Sequence, residues 1–156
     1  MDVFDIESFE HYFEAKVKKL YDDAILPTRG SEYAAGWDLY AHLDHPVTIW
    51  PGEVEKIGTG VAITPPVDHF GAIYPRSGLA TKQGLRPANC VGVCDYDYTG
   101  EYIVAMYNDS QKPQEIKNGD RIAQVVFQPY SRAVMCEVSE LAESSRGDGG
   151  FGSTGR

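Results

Sequence analysis

Short segments rich in β-branched and aromatic residues recur along most of the chain. The clearest are Val47–Trp50, Lys56–Thr64, His69–Tyr74, Tyr102–Tyr107 and Arg121–Gln128. Turn-forming residues lie between these segments, notably Pro51-Gly52, Pro65-Pro66 and Asn118-Gly119-Asp120. Strand-like segments separated by glycine and proline are typical of an all-β sandwich or barrel. The sequence therefore predicts an all-β fold.

The segment Tyr102–Tyr107 differs from the others because its residues do not alternate between apolar and polar. A strand without alternation is covered on both faces. Two explanations remain open at this point. The second face lies either in an interface between subunits or in the interior of a sandwich.

The N-terminal stretch has a different periodicity. Apolar residues between Phe9 and Tyr21 recur at spacings of three and four, which favours a helix, although Lys16–Tyr21 is also compatible with a first strand. We predict a short helix near residues 5–14, followed by a strand. The whole chain, residues 1–156, is expected to form one domain, with residues 1–15 as an N-terminal extension.

Composition and charge exclude several classes of protein. No apolar run approaches the ~20 residues of a membrane-spanning helix, so no membrane partner is expected. The acidic first ten residues do not resemble a secretory signal, which favours an intracellular and first of all cytoplasmic protein. A net charge of −9 argues against general nucleic-acid binding but leaves a small nucleotide open as a ligand.

The three cysteines, Cys90, Cys94 and Cys136, are an odd number and do not suggest a disulfide framework. Neither Cys90 with Cys94 nor His42 with His45 has the spacing of a zinc finger. Buried or half-buried thiols in a reducing compartment are the simpler interpretation.

The tail, residues 146–156, contains five glycines among eleven residues. Such a tail is either a frayed terminus or an arm that becomes ordered over an anionic ligand. Arg146 would supply charge to the ligand, Phe151 a stacking face, and Ser153 and Thr154 hydroxyl donors. A frayed end has no need for these side chains together, so we favour the arm, extending over residues 144–156.

Asp38 lies among apolar neighbours in the segment AGWDLYA. A carboxylate in such surroundings is costly unless something pairs with it. It is either a turn aspartate that accepts backbone hydrogen bonds or an acid that holds metal-bound water. Considered alone, the residue favours the turn.

The segment Pro75–Ala80 offers a charge, a hydroxyl and an accessible backbone N–H in succession, from Arg76, Ser77 and Gly78. These groups can grip a phosphate. Ser77 is also expected as the N-cap of a short helix through Lys82, and both roles can hold at once.

The segment Asn89–Glu101 is interpreted as the first strand and turn of a β-hairpin, with the second strand beginning at Tyr102. Asp95 would lie where the first strand ends, where a carboxylate can act as a general base on water. Tyr98 can pack against a sugar, and Asn89 can read the edge of a base. Asp97 is expected only as an acid at the tip of the hairpin.

Gln124 is the polar residue within the apolar segment Ile122–Phe127. A buried amide needs hydrogen-bond partners, which a ligand, its water or the protein core can provide. The sequence leaves these alternatives open.

Five segments together resemble the ordered motifs of the trimeric dUTPases. They are AGWDLYA, PRSGLA, NCVGVCDYDYTGE, GDRIAQVVF and RGDGGFGSTG. The resemblance covers Val17 to Gly155 and is specific because PRSGLA, DYTGE and the tail occur together. It implies a jelly-roll-like β-barrel or sandwich, a homotrimer with a swapped C-terminal arm, and hydrolysis of dUTP to dUMP and pyrophosphate. That reaction limits uracil incorporation into DNA and supplies dUMP for thymidylate synthesis.

The resemblance also implies roles at the nucleoside end of the substrate. Asp95 is similar to the aspartate that activates water against the α-phosphorus. Tyr98 is similar to the tyrosine beneath the sugar. Asn89, with the backbone of Gly92 and Val93, resembles the uracil reader.

At the same nucleoside end, the resemblance implies an arm aromatic, Phe151, that stacks on uracil. The residues implied as phosphate contacts are Arg76, Ser77, Gly78, Gln124, Arg146, Gly152, Ser153 and Thr154. The expected cofactor is Mg²⁺ held by substrate phosphates and water without direct protein ligands, with Asp38 as an outer-shell acid. Cys94 replaces the usual branched aliphatic residue, which implies looser packing behind Asp95.

Two alternatives carry different chemistry. A dCTP deaminase shares the fold, but Gly78-Leu79-Ala80 after Arg76-Ser77 has the dUTPase form. A non-catalytic protein that binds a partner would not require the complete set of site residues found here.

Overall fold

The computed structural model describes residues 13–150, which form eleven β-strands and one helix. In chain order they are β1 (Lys16–Lys19), β2 (Thr28–Arg29), β3 (Trp37–Tyr40), β4 (Val47–Ile49), β5 (Val54–Thr64), β6 (His69–Tyr74), α1 (Ser77–Gln83), β7 (Leu85–Pro87), β8 (Gly92–Cys94), β9 (Glu101–Asn108), β10 (Gln114–Ile116) and β11 (Arg121–Pro129). The predicted all-β fold is confirmed, and the five predicted strands are present within two residues of their expected bounds. The helix of this region is too short to cross a membrane.

The strands form two larger antiparallel sheets and one small pair. One sheet has the order β1-β5-β9-β7, the second has the order β2-β3-β11-β6-β8, and β10 pairs with β4. Helix α1 joins β6 of the second sheet to β7 of the first. The predicted strand at the start of the shared core is confirmed as β1. The predicted helix near residues 5–14 falls almost entirely outside the described residues.

The predicted hairpin between β8 and β9 is wrong. Strand β8 pairs with β6, where Val93 lies opposite Ala72, whereas β9 pairs with β5 and β7 in the other sheet. Residues 95–100 therefore cross from one sheet to the other instead of forming a tight turn within one ladder. The sequence shows where strands end, but tertiary packing decides which strands pair.

The inner faces of the two larger sheets form the core. Along β9, buried Tyr102, Val104 and Met106 alternate with half-buried Ala105 and with Ile103, which is 49% exposed. Within one chain, only one face of this strand is fully covered. Strand β9 is a central strand of its sheet, as one of the two explanations requires, but its second face is covered only in part within one chain.

One buried polar network lies at the end of β9. Asn108 is fully buried, and its amide nitrogen donates to the carbonyl oxygens of Ile49 and Lys112, each at 2.8 Å. Its amide oxygen accepts hydrogen bonds from the backbone N–H and the hydroxyl of Ser110. Every polar atom of this side chain is therefore satisfied, and the network ties β9 to β4 and to the loop before β10.

We predict that Asn108→Ala lowers the free energy of unfolding by about 2–4 kcal/mol, because the change leaves buried carbonyl and N–H groups without partners. Urea unfolding measures this loss. Asn118→Ala is the matched control, since Asn118 is exposed and accepts one hydrogen bond from Leu43. Equal losses for the two variants would contradict the importance of the network.

Candidate functional site

Asp95 lies where the sequence predicted it, directly after the last residue of β8. The chain then turns, and the backbone N–H of Tyr98 donates to the carbonyl oxygen of Asp95 at 3.2 Å. The Asp95 side chain is exposed. A carboxylate at a strand end, held by a closed turn and open to solvent, is suited to accept a proton from water.

The ring of Tyr98 is fixed from behind. Its hydroxyl donates to the carbonyl oxygen of Glu101 at 2.9 Å, and a Cβ atom at Gly100 would lie only 2.6 Å from the hydroxyl oxygen. Gly100 therefore provides the space in which the ring rests. With 44% of its surface exposed, Tyr98 offers a flat platform beside Asp95.

Asn89 and Gly92 lie against each other in the loop that enters β8. A Cβ atom at Gly92 would lie 3.5 Å from the Asn89 amide nitrogen and 3.2 Å from Cβ of Ile73. Cys90 between them has a φ of +62°, so the loop bends sharply here. Asn89 and Val93 are both exposed, so neither predicted base-reading residue is closed off within the chain.

Cys94, the residue before Asp95, and Tyr102 both lie beside Gly71. Tyr102 is 1% exposed, and its hydroxyl oxygen would lie 2.8 Å from a Cβ atom at Gly71. The Cys94 side chain packs against the same core. Burial raises the pKa of the Cys94 thiol, which keeps it protonated and weakly reactive at neutral pH.

A second group of predicted site residues lies around the start of α1. The helix begins at Ser77, and its N-cap is Arg76, which makes no side-chain capping hydrogen bond. The predicted serine cap is therefore wrong, although the predicted helix is present. The Ser77 hydroxyl makes no hydrogen bond within residues 13–150, and a Cβ atom at Gly78 would meet nothing within 4 Å. Both groups are open to a ligand.

Asp38 lies within β3, with a side chain that is only 12% exposed. Its two carboxylate oxygens accept hydrogen bonds from Arg76 Nε at 2.8 Å and from Arg121 Nη1 at 3.2 Å. The turn alternative for Asp38 is wrong, because guanidinium groups and not backbone N–H groups satisfy it. Sequence reasoning missed Arg121, whose only signal was a cation directly before the apolar strand that contains Gln124.

Gln124 is half-buried and partly satisfied by the protein. Its amide nitrogen donates to the carbonyl oxygen of Pro75 at 2.9 Å. Its amide oxygen occupies the space of the side chain that Gly36 lacks, since a Cβ atom there would lie 2.3 Å away. Gly36 is therefore required for this position of Gln124, and the amide oxygen has no hydrogen-bond partner among the described residues.

The structure places these residues in two separate pockets. One contains Asp95, Tyr98, Val93, Glu101 and Tyr102. The other contains Asp38, Arg76, Ser77, Gly78, Gln124 and Arg121. No residue is common to the linings of the two pockets. No cluster of three metal-binding side chains occurs between residues 13 and 150.

Only part of the predicted arm belongs to the described structure. Arg146 lies in an exposed turn, and its Nε donates to the carbonyl oxygen of Gly149 at 2.8 Å. Gly147 has a φ of +53°, and its N–H donates to Ser144 in the same turn. The remaining arm residues of the prediction, Phe151, Gly152, Ser153 and Thr154, lie outside the described residues.

Comparisons with known proteins agree with this geometry. The sequence profile of the dUTPase family matches residues 22–155. A deoxyuridine 5'-triphosphate nucleotidohydrolase of Desulfitobacterium hafniense is 50% identical over 131 residues, which are 83% of this chain and 87% of the relative. One of Syntrophotalea carbinolica is 44% identical over 140 residues, covering 90% and 95% of the two chains.

Among solved structures, a mutant dUTPase of Staphylococcus bacteriophage 80alpha with dUpNHpp has a TM-score of 0.78 at 27% identity. The match covers 92% of this chain and 99% of the phage chain. It confirms the jelly-roll-like architecture that the sequence motifs implied. Profile, relatives and fold agree over nearly the whole length, and the chain belongs to the dUTPase family.

Proposed function

We propose that this protein hydrolyses dUTP to dUMP and pyrophosphate, using Asp95 to activate the attacking water. The proposal rests on two features of the structure. One is an exposed carboxylate beside a fixed tyrosine, and the other is a separate, cationic pocket that can hold phosphates. The dUTP analogue in the phage structure supports the same ligand for this chain. Removal of dUTP limits uracil incorporation into DNA, and the dUMP produced supplies thymidylate synthesis.

The nucleoside would lie on the surface formed by Tyr98, Asn89, Gly92 and Val93. Asn89 can hydrogen-bond the polar edge of uracil, and the backbone of Gly92 and Val93 approaches closely because Gly92 has no side chain. The Tyr98 ring, held against Gly100, would pack under the deoxyribose, where a 2′-hydroxyl would need additional space. Selection for deoxyuridine then follows from shape and hydrogen bonding together.

The triphosphate would lie in the pocket of Arg76, Ser77, Gly78 and Gln124. Arg76 contributes charge, the Ser77 hydroxyl a donor, and Gly78 an unobstructed backbone. Gln124 can donate the second N–H of its amide nitrogen to a phosphate, and its open amide oxygen can accept a hydrogen bond from the attacking water. These groups fix the α-phosphate in line for attack, and such positioning supplies much of the rate.

In the chemical step, the Asp95 carboxylate accepts a proton from water while the water oxygen bonds to the α-phosphorus. The bond between that phosphorus and the oxygen bridging to the β-phosphate breaks, and pyrophosphate leaves with the bonding electrons. The reaction proceeds in one displacement, without a covalent intermediate on the protein. The required cofactor is Mg²⁺.

The donor groups of the phosphate pocket suit a metal ion bound mainly by the substrate. They are guanidinium, hydroxyl and amide groups, with one carboxylate, Asp38, whose oxygens already accept two arginine hydrogen bonds. Phosphate oxygens and water would therefore hold Mg²⁺, with Asp38 in its outer shell. When bound, the ion would offset the negative charge of the triphosphate.

The active unit is a homotrimer in this proposal. Between β11 and residue 150 the chain forms no strand, and it exposes Val134, Met135 and Leu141 by 93%, 93% and 87%. Exposed apolar side chains at this density favour burial against another chain. A second copy would cover them and the open face of β9 at Ile103, and it would bring the two separate pockets into one site.

The arm, residues 144–156, would close over a neighbouring site. Arg146, Ser153, Thr154 and the backbone of Gly152 would contact the γ-phosphate, and Phe151 would stack on uracil. Closure would exclude water other than the nucleophile.

The function is tested by product analysis on dUTP, dCTP, dTTP and UTP, with Mg²⁺ and after its removal by a chelator. We expect dUMP and pyrophosphate from dUTP alone, loss of activity without Mg²⁺, and recovery when Mg²⁺ is restored. Ammonia from dCTP would instead indicate a deaminase. Binding of dUTP without turnover would indicate a non-catalytic protein.

Asp95→Asn is expected to lower kcat for dUTP by about 10²–10⁴-fold, because the amide cannot accept the proton of water. Binding of dUpNHpp, measured by calorimetry, should stay nearly unchanged. Asp97→Asn is the matched control, since Asp97 lies at the exposed tip of the same turn. Normal turnover by Asp95→Asn would remove this residue as the base.

Gly78→Ala separates the stability of the fold from substrate binding. A methyl group meets no atom within 4 Å and favours the helix, so the melting temperature should stay equal or rise slightly. The same methyl group projects toward the bound triphosphate and should raise KM for dUTP. An unchanged KM would show that phosphates do not approach Gly78.

Two truncations separate assembly from closure. A chain that ends at Ser145 should remain trimeric by analytical ultracentrifugation but lose most of its hydrolysis, because the arm is missing. A chain that ends at Arg132 also lacks the exposed apolar segment and should no longer be trimeric. Full activity of the first chain, or a trimer of the second, would contradict these roles.

A further inference from the structure

Three charged side chains from three segments meet beside the phosphate pocket. Asp38 in β3 accepts a hydrogen bond from Arg76, which precedes α1, and another from Arg121 at the start of β11. Arg76 Nη1 also lies 3.5 Å from the carbonyl oxygen of Arg121. The two guanidinium groups are thus held close together by one carboxylate.

A β-bulge brings Arg121 to this position. Gln124 lies opposite Asp38, but Arg121 lies opposite Tyr40, because the register between β11 and β3 shifts between Arg121 and Ala123. In a regular strand, residues three apart face opposite sides of the sheet. The extra residue, Ile122, restores Arg121 to the face that carries Gln124 and Asp38, and bulges commonly redirect side chains in this way next to functional sites.

The arrangement leaves donors of both arginines available. Among residues 13–150, Arg76 Nη2 and the Nε and Nη2 atoms of Arg121 make no hydrogen bond. Both side chains line the pocket that also contains Ser77, Gly78 and Gln124. With Asp38 included, the three residues carry one net positive charge, which favours an anion in that pocket.

The carboxylate also makes the arrangement possible. Two guanidinium groups at this distance repel each other, and Asp38 between them offsets that repulsion. Asp38 in turn is nearly buried, and without its cations it would be a costly unpaired charge. Each member therefore depends on the other two, and the orientation of the arginines is fixed before any ligand binds.

We propose that Arg121 is a second triphosphate-binding cation and that Asp38 is the positioning residue that aims both Arg76 and Arg121 at the phosphates. This inference rests on the proposed function and assigns two residues to its binding step. The ligand class is the triphosphate of a nucleotide, because the proposed function places the triphosphate in the pocket that both arginines line.

The direction in which one substitution changes triphosphate affinity distinguishes a positioning role from a purely electrostatic one. Asp38→Asn removes a negative charge beside an anion site, so a purely electrostatic effect would tighten triphosphate binding. If Asp38 aims the arginines, the same change releases them and weakens binding. A role limited to outer-shell metal contact would instead change the Mg²⁺ concentration required for half-maximal activity and spare metal-free binding of the analogue.

The experiment measures binding of dUpNHpp and of dUMP by calorimetry to the full-length protein, with and without Mg²⁺. For Arg121→Gln we expect about 10- to 100-fold weaker binding of dUpNHpp, since one or two charge-assisted hydrogen bonds are lost, with dUMP binding nearly unchanged. Arg121→Lys should recover only part of the loss, because an ammonium group cannot bind Asp38 and phosphate with a guanidinium's geometry. Asp38→Asn should weaken dUpNHpp binding with or without Mg²⁺.

Lys117→Gln is the matched control. It removes the same charge from an exposed pair with Glu115 and should leave both affinities unchanged. Equal dUpNHpp affinity of wild type and Arg121→Gln, or tighter binding by Asp38→Asn, would overturn the inference. Should Asp38→Asn fail to fold, Asp38→Glu replaces it, since it keeps the charge but moves the carboxylate and should still weaken dUpNHpp binding. If wild type hydrolyses dUTP while Arg121→Gln binds normally, only this inference fails; if wild type does not hydrolyse dUTP, the proposed function fails.

Discussion

Strand β11 and its register hold the proposed phosphate pocket together. Gln124 lies opposite Asp38 of β3 on one side and opposite Tyr74 of β6 on the other. The chain that leaves β6 leads directly to Arg76 and α1. A shift of one residue would turn Gln124 away from both neighbours, because side chains alternate between the faces of a sheet. The pocket therefore forms because β11 pairs with β3 on one edge and with β6 on the other.

The strand register places the buried Asp38 where it needs positively charged neighbours. Burial of a carboxylate is unfavourable unless cations accompany it, and two arginines from separate segments provide them. Gly36 and Gly78 complete the pocket by what they lack: one leaves room for Gln124, and the other leaves the approach to α1 open. The two arginines are thus held in position by Asp38 and still have N–H donors available for a ligand.

The other half of the site depends on a crossing between sheets. Residues 95–100 carry Asp95 and Tyr98 from β8 of one sheet to β9 of the other, and Tyr102 fills the core behind them. This half and the phosphate pocket share no residue within a chain. The exposed apolar segment after β11 supplies a physical reason for the chains to associate in the proposed homotrimer.

Local sequence determined the strands, the helix after Arg76 and the position of Asp95 at a strand end, because propensity and turn residues act over a few neighbours. The family motifs also identified the reaction. Tertiary structure alone decided that β8 pairs with β6, that Arg76 rather than Ser77 precedes the helix, and that Arg121 turns toward Asp38. These outcomes depend on contacts between residues up to 83 positions apart, whose pairing is set by packing and burial and not by neighbours in sequence.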